Sequence, residues 1–240
     1  AVAANRGWGR AILSRVPASE VGLAAIEAAR IADAAGVDAV IETARAAAPG
    51  WAALGAAGRA AILHRAGEAL EAARAELLEV MAAEGGKTLD QGDPEVSEAI
   101  DFAHYYAERA LELESVDGAH PTPRPVTLVT PPWNFPVAIP AGSTLAALAA
   151  AAAVIIKLAR ATRRSGARMI EALWAAGVPR DVLQLVQLSG DLGQRLVASP
   201  HVDQVILTGG YETAELFRGF RTDARVMGET SGKNAIIVTP

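Results

Sequence analysis

Four chemically distinctive segments of the sequence come directly after short apolar runs. They are Asn134 within PPWNFP, Lys157, the glycine turn Thr208-Gly209-Gly210, and Glu229. The amide of asparagine can donate a hydrogen bond to an oxyanion. A lysine or a glycine turn can bind an anion, and a carboxylate can accept or donate a proton. If the runs are parallel strands of a doubly wound sheet, their carboxyl ends form the edge where such folds bind ligands. The sequence therefore predicts a ligand site at that edge.

The glycine turn and Lys157 are candidates for binding phosphate or another anion. Glycine lets the backbone approach a diphosphate, and the helix that follows supplies N–H donors and the positive end of its dipole. A plain tight turn is the alternative, since the GxGxxG pattern of the ordinary dinucleotide fold is absent. Lys157 ends an apolar strand, so its charge must face either an anion or solvent, because burying it alone is costly.

Asn134 and Glu229 are candidates for catalytic work. Asn134 lies in a stiff loop between prolines, where its amide could donate to a developing oxyanion or simply form a turn. Glu229 precedes a turn with glycine on either side, where it could act as a general base or remain a solvated loop acid. The four histidines show no spacing typical of metal ligands, so no metal is predicted.

The second half of the chain alternates short β-branched runs with helical segments. The runs are Val126–Thr130, Val154–Lys157, Val182–Gln187, Gln204–Leu207, Arg225–Met227 and Ala235–Val238. Helices are predicted between most of them, at Ala141–Ala152, Ser165–Ala176, Leu192–Ser199 and Glu212–Gly219. This alternation predicts an α/β fold, with a mainly parallel sheet that helices cover on both faces.

The first half is predicted to be helical. Apolar residues recur at helical spacing through Ser19–Ala35, Val37–Ala48 and Gly58–Glu84, and Pro94 opens a helix that runs to about Glu114. The proline-containing segment 115–125 is expected to be a surface loop. We therefore divide the chain into an N-terminal helical region, 1–114, and a sheet region, 115–240.

Composition excludes several classes of protein. The 240 residues are 51% hydrophobic and 20% charged, so a sizeable core is available and wholesale disorder is excluded. Lys plus Arg number 22 against 27 Asp plus Glu, a net charge of −5 that argues against a nucleic-acid-binding surface. The absence of cysteine excludes disulfides, thiolate metal sites and a cysteine nucleophile within this chain. The uncharged segment Phe135–Ile156 is long enough to cross a bilayer, but its prolines and glycine favour a buried helix followed by a strand.

Taken together, these segments resemble the aldehyde dehydrogenase superfamily. The motifs PPWNFPVAIPAGSTLAALA, VIIK, VDQVILTGGYETAELF and MGETSGKNAIIV occur in this order at these intervals. Within the superfamily they are most similar to the 1-pyrroline-5-carboxylate (glutamate γ-semialdehyde) dehydrogenase branch, which includes a module of the bifunctional proline-utilisation enzymes. The segment GGKTLDQGDPEVSEAIDFAHYYAERAL looks like that branch's helix ahead of the Rossmann-like domain, so the resemblance runs from about Val37 to Pro240.

The resemblance implies a role for each strand-end residue. Asn134 matches the oxyanion donor, and Glu229 matches the general base that activates water. Trp133 would line the nicotinamide side of the cofactor site, Lys157 would bond the adenosine ribose, and Gly209 would lie beside the diphosphate. Further cofactor contacts would be Thr130, Pro132, Arg160, Gly190, Thr208 and Gly210, and Glu98 matches an acidic position near the aldehyde.

The sequence also departs from the family pattern. The family nucleophile is a cysteine beyond the glutamate, and this chain has none, so we expect the catalytic domain to be missing and the chain to be inactive alone. Ala151-Ala152 stands in place of Gly-Asn, Leu158 in place of proline, and Arg160 in place of an acidic ribose contact. These three changes are expected to lie beside the cofactor. Ala214 replaces the second glycine of the family's GxxxxG turn.

Our sequence-based interpretation is the coenzyme-binding half of a cytoplasmic aldehyde dehydrogenase that oxidises glutamate γ-semialdehyde in proline catabolism. The resemblance implies NAD as cofactor, with NADP accepted. It also implies a small aldehyde substrate and a homo-oligomeric full-length parent, with neither nucleic acid nor membrane as partner. The alternative is a non-catalytic α/β binding or interaction module derived from such an enzyme.

Overall fold

In the computed structural model, which describes residues 2–232 and 235–239, five strands form a parallel sheet. The strands are β1 (Val126–Thr130), β2 (Ala153–Lys157), β3 (Leu183–Val186), β4 (Gln204–Gly209) and β5 (Val226–Thr230). They lie in the order β3-β2-β1-β4-β5, so that β1 is central and β5 is at an edge. Every residue of β1 is buried, as expected for a β-branched strand covered on both faces. The predicted α/β fold with a parallel sheet is confirmed.

A set of N-terminal helices precedes the sheet. They are α1 (Ala3–Arg15), α2 (Leu23–Ala28), α3 (Ala34–Ala52), α4 (Gly55–Ala72), α5 (Arg74–Gly85) and α6 (Leu89–Glu114). The long helix α6 begins at a capping box, in which the side chains of Thr88 and Gln91 each accept a bond from the other residue's backbone N–H. Trp51 is buried and donates from its indole to the Leu148 carbonyl at 2.9 Å, which ties α3 to the sheet region.

Each of the first four strands is followed by a helix. These are α7 (Ala138–Ala149), α8 (Arg163–Ala175), α9 (Gly190–Ala198) and α10 (Tyr211–Phe220). Alternate side chains of β1 and β2 point to opposite faces of the sheet. Leu128 and Ile155 pack with α3 and α9 on one face, while Val129 and Ile156 pack with α4, α6, α7 and α8 on the other. The core of this second face is thus shared by the helical region and the sheet region.

The predicted helix Ser19–Ala35 is wrong as a continuous element. The chain instead forms a 3₁₀ turn at Val16–Ala18, a short α2, and an extended stretch in which Arg30 bridges to Gln187. Gly22 has a left-handed φ of 79°, and an added Cβ there would lie 2.4 Å from the Arg164 carbonyl oxygen. The interruption is therefore set by close packing against α8, which periodicity alone does not show.

Three other predicted boundaries are corrected. The predicted helix Gly58–Glu84 is divided at Ala73, between α4 and α5, and Pro94 lies inside α6 instead of opening it. The predicted strand Ala235–Val238 is absent, since residues 235–239 have neither helix nor strand geometry. Across the described residues no helix is long and apolar enough to span a membrane, and Phe135–Ile156 folds as a loop, α7 and most of β2.

Candidate functional site

A cleft of about 800 Å³ opens at the carboxyl edge of the sheet. The parallel register brings the ends of β2, β1, β4 and β5 to this edge, with Thr208 of β4 directly opposite Glu229 of β5. Ten of the predicted site residues line the cleft: Thr130, Pro132, Trp133, Asn134, Lys157, Gly190, Thr208, Gly209, Gly210 and Glu229. Positions spread over about a hundred residues of sequence are thus brought together by strand order.

Lys157 is half-buried and lines the cleft. Burial lowers its pKa, and among the described residues none accepts a hydrogen bond from its ammonium group. An added Cβ on Gly193 of α9 would lie 3.6 Å from the Lys157 Cε, so the aliphatic part of the side chain passes close to this helix. A partly desolvated and unpaired cation inside a cleft favours an anion or a hydroxyl-bearing ligand.

The loop between β1 and α7 carries Asn134 on the cleft wall. On one side of it, the Trp133 carbonyl accepts a bond of 2.9 Å from the Thr162 hydroxyl. On the other, the backbone N–H groups of Val137 and Ala138 donate to the buried Glu95 carboxylate at 2.7 and 3.2 Å. The side chains of Trp133 and Asn134 remain exposed, so the backbone is fixed while the amide faces the cleft.

The opposite wall combines a glycine turn with apolar side chains. Gly209 and Gly210 lead into α10, whose N-cap makes no side-chain bond to the first backbone N–H groups. Beyond the turn the lining is apolar, contributed mainly by Val197 of α9 and by Leu207, Leu216, Phe217 and Phe220. The cleft therefore offers a polar turn beside a surface suited to a flat apolar ring.

Glu229 and Thr208 meet at the rim of the cleft. The Thr208 hydroxyl lies 3.5 Å from Glu229 Oε2, at the limit of hydrogen-bonding distance, and the carboxylate is exposed. It is therefore reachable by a water molecule or a ligand in the cleft. In the described ranges, 2–232 and 235–239, no three His, Asp or Glu side chains come together as a metal site.

A sequence profile described as the aldehyde dehydrogenase family matches residues 9–240. The chain belongs to this family. It is 40% identical over 213 residues to the bifunctional protein PutA of Escherichia coli K12, and the aligned region covers 84% of this chain and 16% of that protein. It is 36% identical over 199 residues to the 1-pyrroline-5-carboxylate dehydrogenase of Bacillus pumilus, and here the aligned region covers 75% of this chain and 39% of that protein.

A solved structure shows the same relationship. Proline utilization A (PutA) from Corynebacterium freiburgense superposes with a TM-score of 0.80 at 44% identity, over 85% of this chain and 21% of that one. The chain therefore spans less than half the length of these aldehyde dehydrogenase family relatives. The resemblance expected from the motifs is confirmed.

Two predicted site residues of this family member lie outside the cleft. Arg160 lines an adjoining cavity of about 680 Å³, which shares Lys157 and Gly190 with the cleft. Arg30 and Arg163 also line that cavity, and none of its described lining residues is acidic. Glu98 is exposed on α6 and does not line the cleft, because α6 directs Glu95 and not Glu98 toward the loop that carries Asn134.

The structure also shows where the residues that differ from the family pattern lie. Ala151 and Ala152 precede β2 at the amino edge of the sheet, the edge opposite Lys157, and they do not line the cleft that contains the other predicted cofactor residues. Leu158 turns inward and is buried, and an added Cβ on Gly166 of α8 would lie 2.4 Å from its Cδ2. Arg160 follows it at the surface, three residues beyond the end of the buried strand.

Sequence reasoning missed the residues that hold the loop, namely Lys87, Glu95 and Thr162. One signal was present, because Glu95 interrupts the apolar stripe that Gly92, Val96 and Ala99 form on α6. An acidic residue within a buried helical stripe indicates a specific partner. No comparable signal marks Thr162, whose role depends on how α8 meets the Trp133 carbonyl.

Proposed function

We propose that this chain is the coenzyme-binding part of an NAD(P)-dependent aldehyde dehydrogenase that oxidises glutamate γ-semialdehyde to glutamate in proline catabolism. The observation that carries the proposal is the convergence of Asn134, Lys157, Gly209 and Glu229 on one cleft. The similarity to a PutA protein and to a 1-pyrroline-5-carboxylate dehydrogenase supports the substrate class.

The cleft has the groups that a nicotinamide dinucleotide requires. Lys157 would donate to the adenosine ribose, because it lines the cleft and its ammonium has no partner among the residues that the structure describes. The turn at Gly209-Gly210 would receive the diphosphate, since it has no Cβ and opens into a helix N-terminus. The apolar slot formed by Phe217 and Phe220 would take the adenine. These assignments leave Trp133 and Asn134 for the nicotinamide end.

The cofactor would accept the hydride, and the residues of this chain would orient the reacting groups, stabilise the developing charge and accept a proton. The Asn134 amide would donate to the oxygen of the aldehyde as negative charge develops there, a contribution of about 10²–10³ in rate in comparable sites. Glu229 would accept a proton from water during release of the acid, since its carboxylate is exposed and lines the same cleft as Asn134. The chain holds no cysteine, so a covalent acyl step requires a nucleophile that these 240 residues do not contain.

For the dinucleotide itself we propose NAD as the default ligand, with NADP accepted. An acidic residue near the ribose would repel a 2′-phosphate, but here Arg160 occupies that neighbourhood together with Arg30 and Arg163. Arginine binds phosphate through two parallel hydrogen bonds, which adds geometry to charge. Lys157 lines both that cavity and the cleft.

The alternative function is a non-catalytic binding module, and the substitutions beside Lys157, Leu158 for the family's proline and Arg160 for its acidic residue, favour it. Calorimetric titration with NAD⁺ and NADP⁺ tests the proposal against it. We expect saturable binding of one molecule per chain, which weakens by about tenfold or more in Lys157→Met. Arg45→Met, which removes an exposed cation on α3 away from the cleft, should bind as the wild-type chain does. Absence of binding by the wild-type chain would contradict the proposal.

A further inference from the structure

The segment that carries Asn134 is held from outside by an ion pair on the helical region. Glu95 of α6 is 2% exposed, and one of its carboxylate oxygens, Oε1, accepts the bonds from Val137 and Ala138. Its other oxygen, Oε2, pairs with the Lys87 ammonium. The pair thus joins the turn before α6 to the first residues of α7.

The start of α7 needs this carboxylate. The first backbone N–H groups of a helix have no partner within the helix, and a Ser, Thr, Asp or Asn at the N-cap usually satisfies one of them. Here the N-cap is Val137, whose side chain cannot accept a hydrogen bond. Glu95 takes that place from another helix, and its negative charge is favourable at the positive end of the α7 dipole.

Lys87 makes a second contact with the same loop. Its ammonium lies 4.4 Å from the centroid of the Phe135 ring, within the range of a cation–π interaction. With Phe135 held by Lys87, Trp133 by Thr162 and Val137 by Glu95, the backbone is restrained on both sides of Asn134. No hydrogen bond within the described residues restrains the Asn134 side chain itself.

We propose that the Lys87–Glu95 ion pair is a positioning device for Asn134, which sets where its amide points in the cleft. Neither residue lines the cleft, so both act through the loop and not on a ligand. The inference rests on the proposed function, because the direction of the amide matters only if a ligand there receives its hydrogen bond. A buried carboxylate that loses its cation is strongly destabilised, so the two residues form one unit.

The sequence makes a direct test practicable. The chain contains three asparagines, Asn5, Asn134 and Asn234, so selective ¹⁵N-asparagine labelling gives few signals. Loss of one set in Asn134→Asp identifies the backbone and side-chain amides of Asn134. Their chemical shifts and heteronuclear NOE then report the position and the mobility of this residue in the intact chain.

Three variants and one control separate positioning from general stability. In Glu95→Gln and Lys87→Met we expect the Asn134 signals to shift and the NOE to fall, whereas Lys87→Arg keeps the cation and should restore them. Glu79→Gln is the matched control, because Glu79 is also a buried carboxylate, paired with Arg15 at 2.6 Å and absent from the cleft. This control should lower the melting temperature and leave Asn134 unchanged.

The outcomes are distinguishable. Unchanged Asn134 signals in folded Glu95→Gln and Lys87→Met would overturn the positioning role, as would an equal change in Glu79→Gln. If Glu95→Gln does not fold, the double variant Lys87→Met/Glu95→Gln replaces it, since it leaves no unpaired buried charge. Addition of NAD⁺ to the wild-type chain should also shift Asn134. If the variants move Asn134 and NAD⁺ does not, the positioning holds and the proposed function fails.

Discussion

Lys157 at the end of β2 passes beside Gly193 in the first turn of α9, where an added Cβ would lie 3.6 Å from the lysine Cε. The aliphatic part of the side chain therefore lies close to α9, and Lys157 lines both the cleft and the adjoining cavity. Its ammonium group is partly removed from water and has no protein partner in the described chain.

Lys157→Met should therefore raise stability while weakening dinucleotide binding. Burial lowers the lysine pKa, so its cost is fully present at pH values below the lowered pKa and disappears as the pH rises to that of a free lysine. At neutral pH we expect the melting temperature of the variant to rise by about 2–4 °C. The gain should shrink as the pH is raised through the lowered pKa. A variant that is both less stable and unimpaired in NAD⁺ binding would contradict this assignment.

Arg160→Glu should change the choice of cofactor. The substitution replaces a cation with an acid near the ribose, so a 2′-phosphate would be repelled while the ribose hydroxyls gain an acceptor. We expect the ratio of NADP⁺ to NAD⁺ affinity to fall about tenfold, measured by calorimetry. Arg45→Glu makes the same charge change on α3 and should leave the ratio unaltered. An unaltered ratio in Arg160→Glu would mean that Arg160 is only surface charge.

Ala151→Gly should stabilise the chain. Ala151 has a left-handed φ of 65° at the end of α7, where its N–H donates to the Leu148 carbonyl and that of Ala152 to the Ala147 carbonyl. This is the hydrogen-bond pattern of a Schellman motif, whose left-handed position usually carries glycine because a Cβ there costs about 1–2 kcal/mol. We expect the melting temperature to rise by about 2–4 °C in thermal unfolding.

Ala150→Gly is the control for that change. Ala150 has an ordinary φ of −78°, so glycine there only increases the freedom of the unfolded chain. It should lower stability by roughly 0.5–1 kcal/mol. If the two glycine variants had the same effect on the melting temperature, the strain assigned to Ala151 would be refuted.

The purified chain should not oxidise aldehydes. Without cysteine it lacks the thiol that the proposed chemistry requires, although Asn134 and Glu229 are present. In an assay of absorbance at the NADH wavelength with glutamate γ-semialdehyde and NAD⁺, we expect a rate equal to that without protein. Sustained NADH formation that increases with the amount of chain would contradict the prediction.

The sequence predicted the parts of the fold that depend on local pattern. The sequence predicts β1 at its observed bounds, because a run of five mostly β-branched residues between Pro125 and Pro131 is typical of a short strand buried on both faces. The meeting of Lys157 and Glu229 at one edge also followed, since parallel strands end on the same side. The types of the side chains were sufficient to predict the bounds of β1, and the direction of the strands was sufficient to predict the shared edge.

Features that depend on tertiary packing could not be predicted. The break at Ala73 has neither glycine nor proline, and alanine is a strong helix former, so packing and not propensity ends α4 there. The interruption near Gly22 similarly depends on the Arg164 carbonyl, 142 residues away. Arg160 was placed near the proposed ribose site by motif alone, and only the structure shows that it faces a separate cavity.

The central claim is that one dinucleotide binds along the carboxyl edge of the sheet, and a crystal structure of the chain with NAD⁺ tests it most directly. We predict the adenosine ribose at Lys157, the diphosphate at Gly209-Gly210 and the nicotinamide between Asn134 and Glu229. A cofactor bound elsewhere, such as the groove between Asp38 and His201, would contradict the claim. So would a cleft that remains empty at saturating NAD⁺.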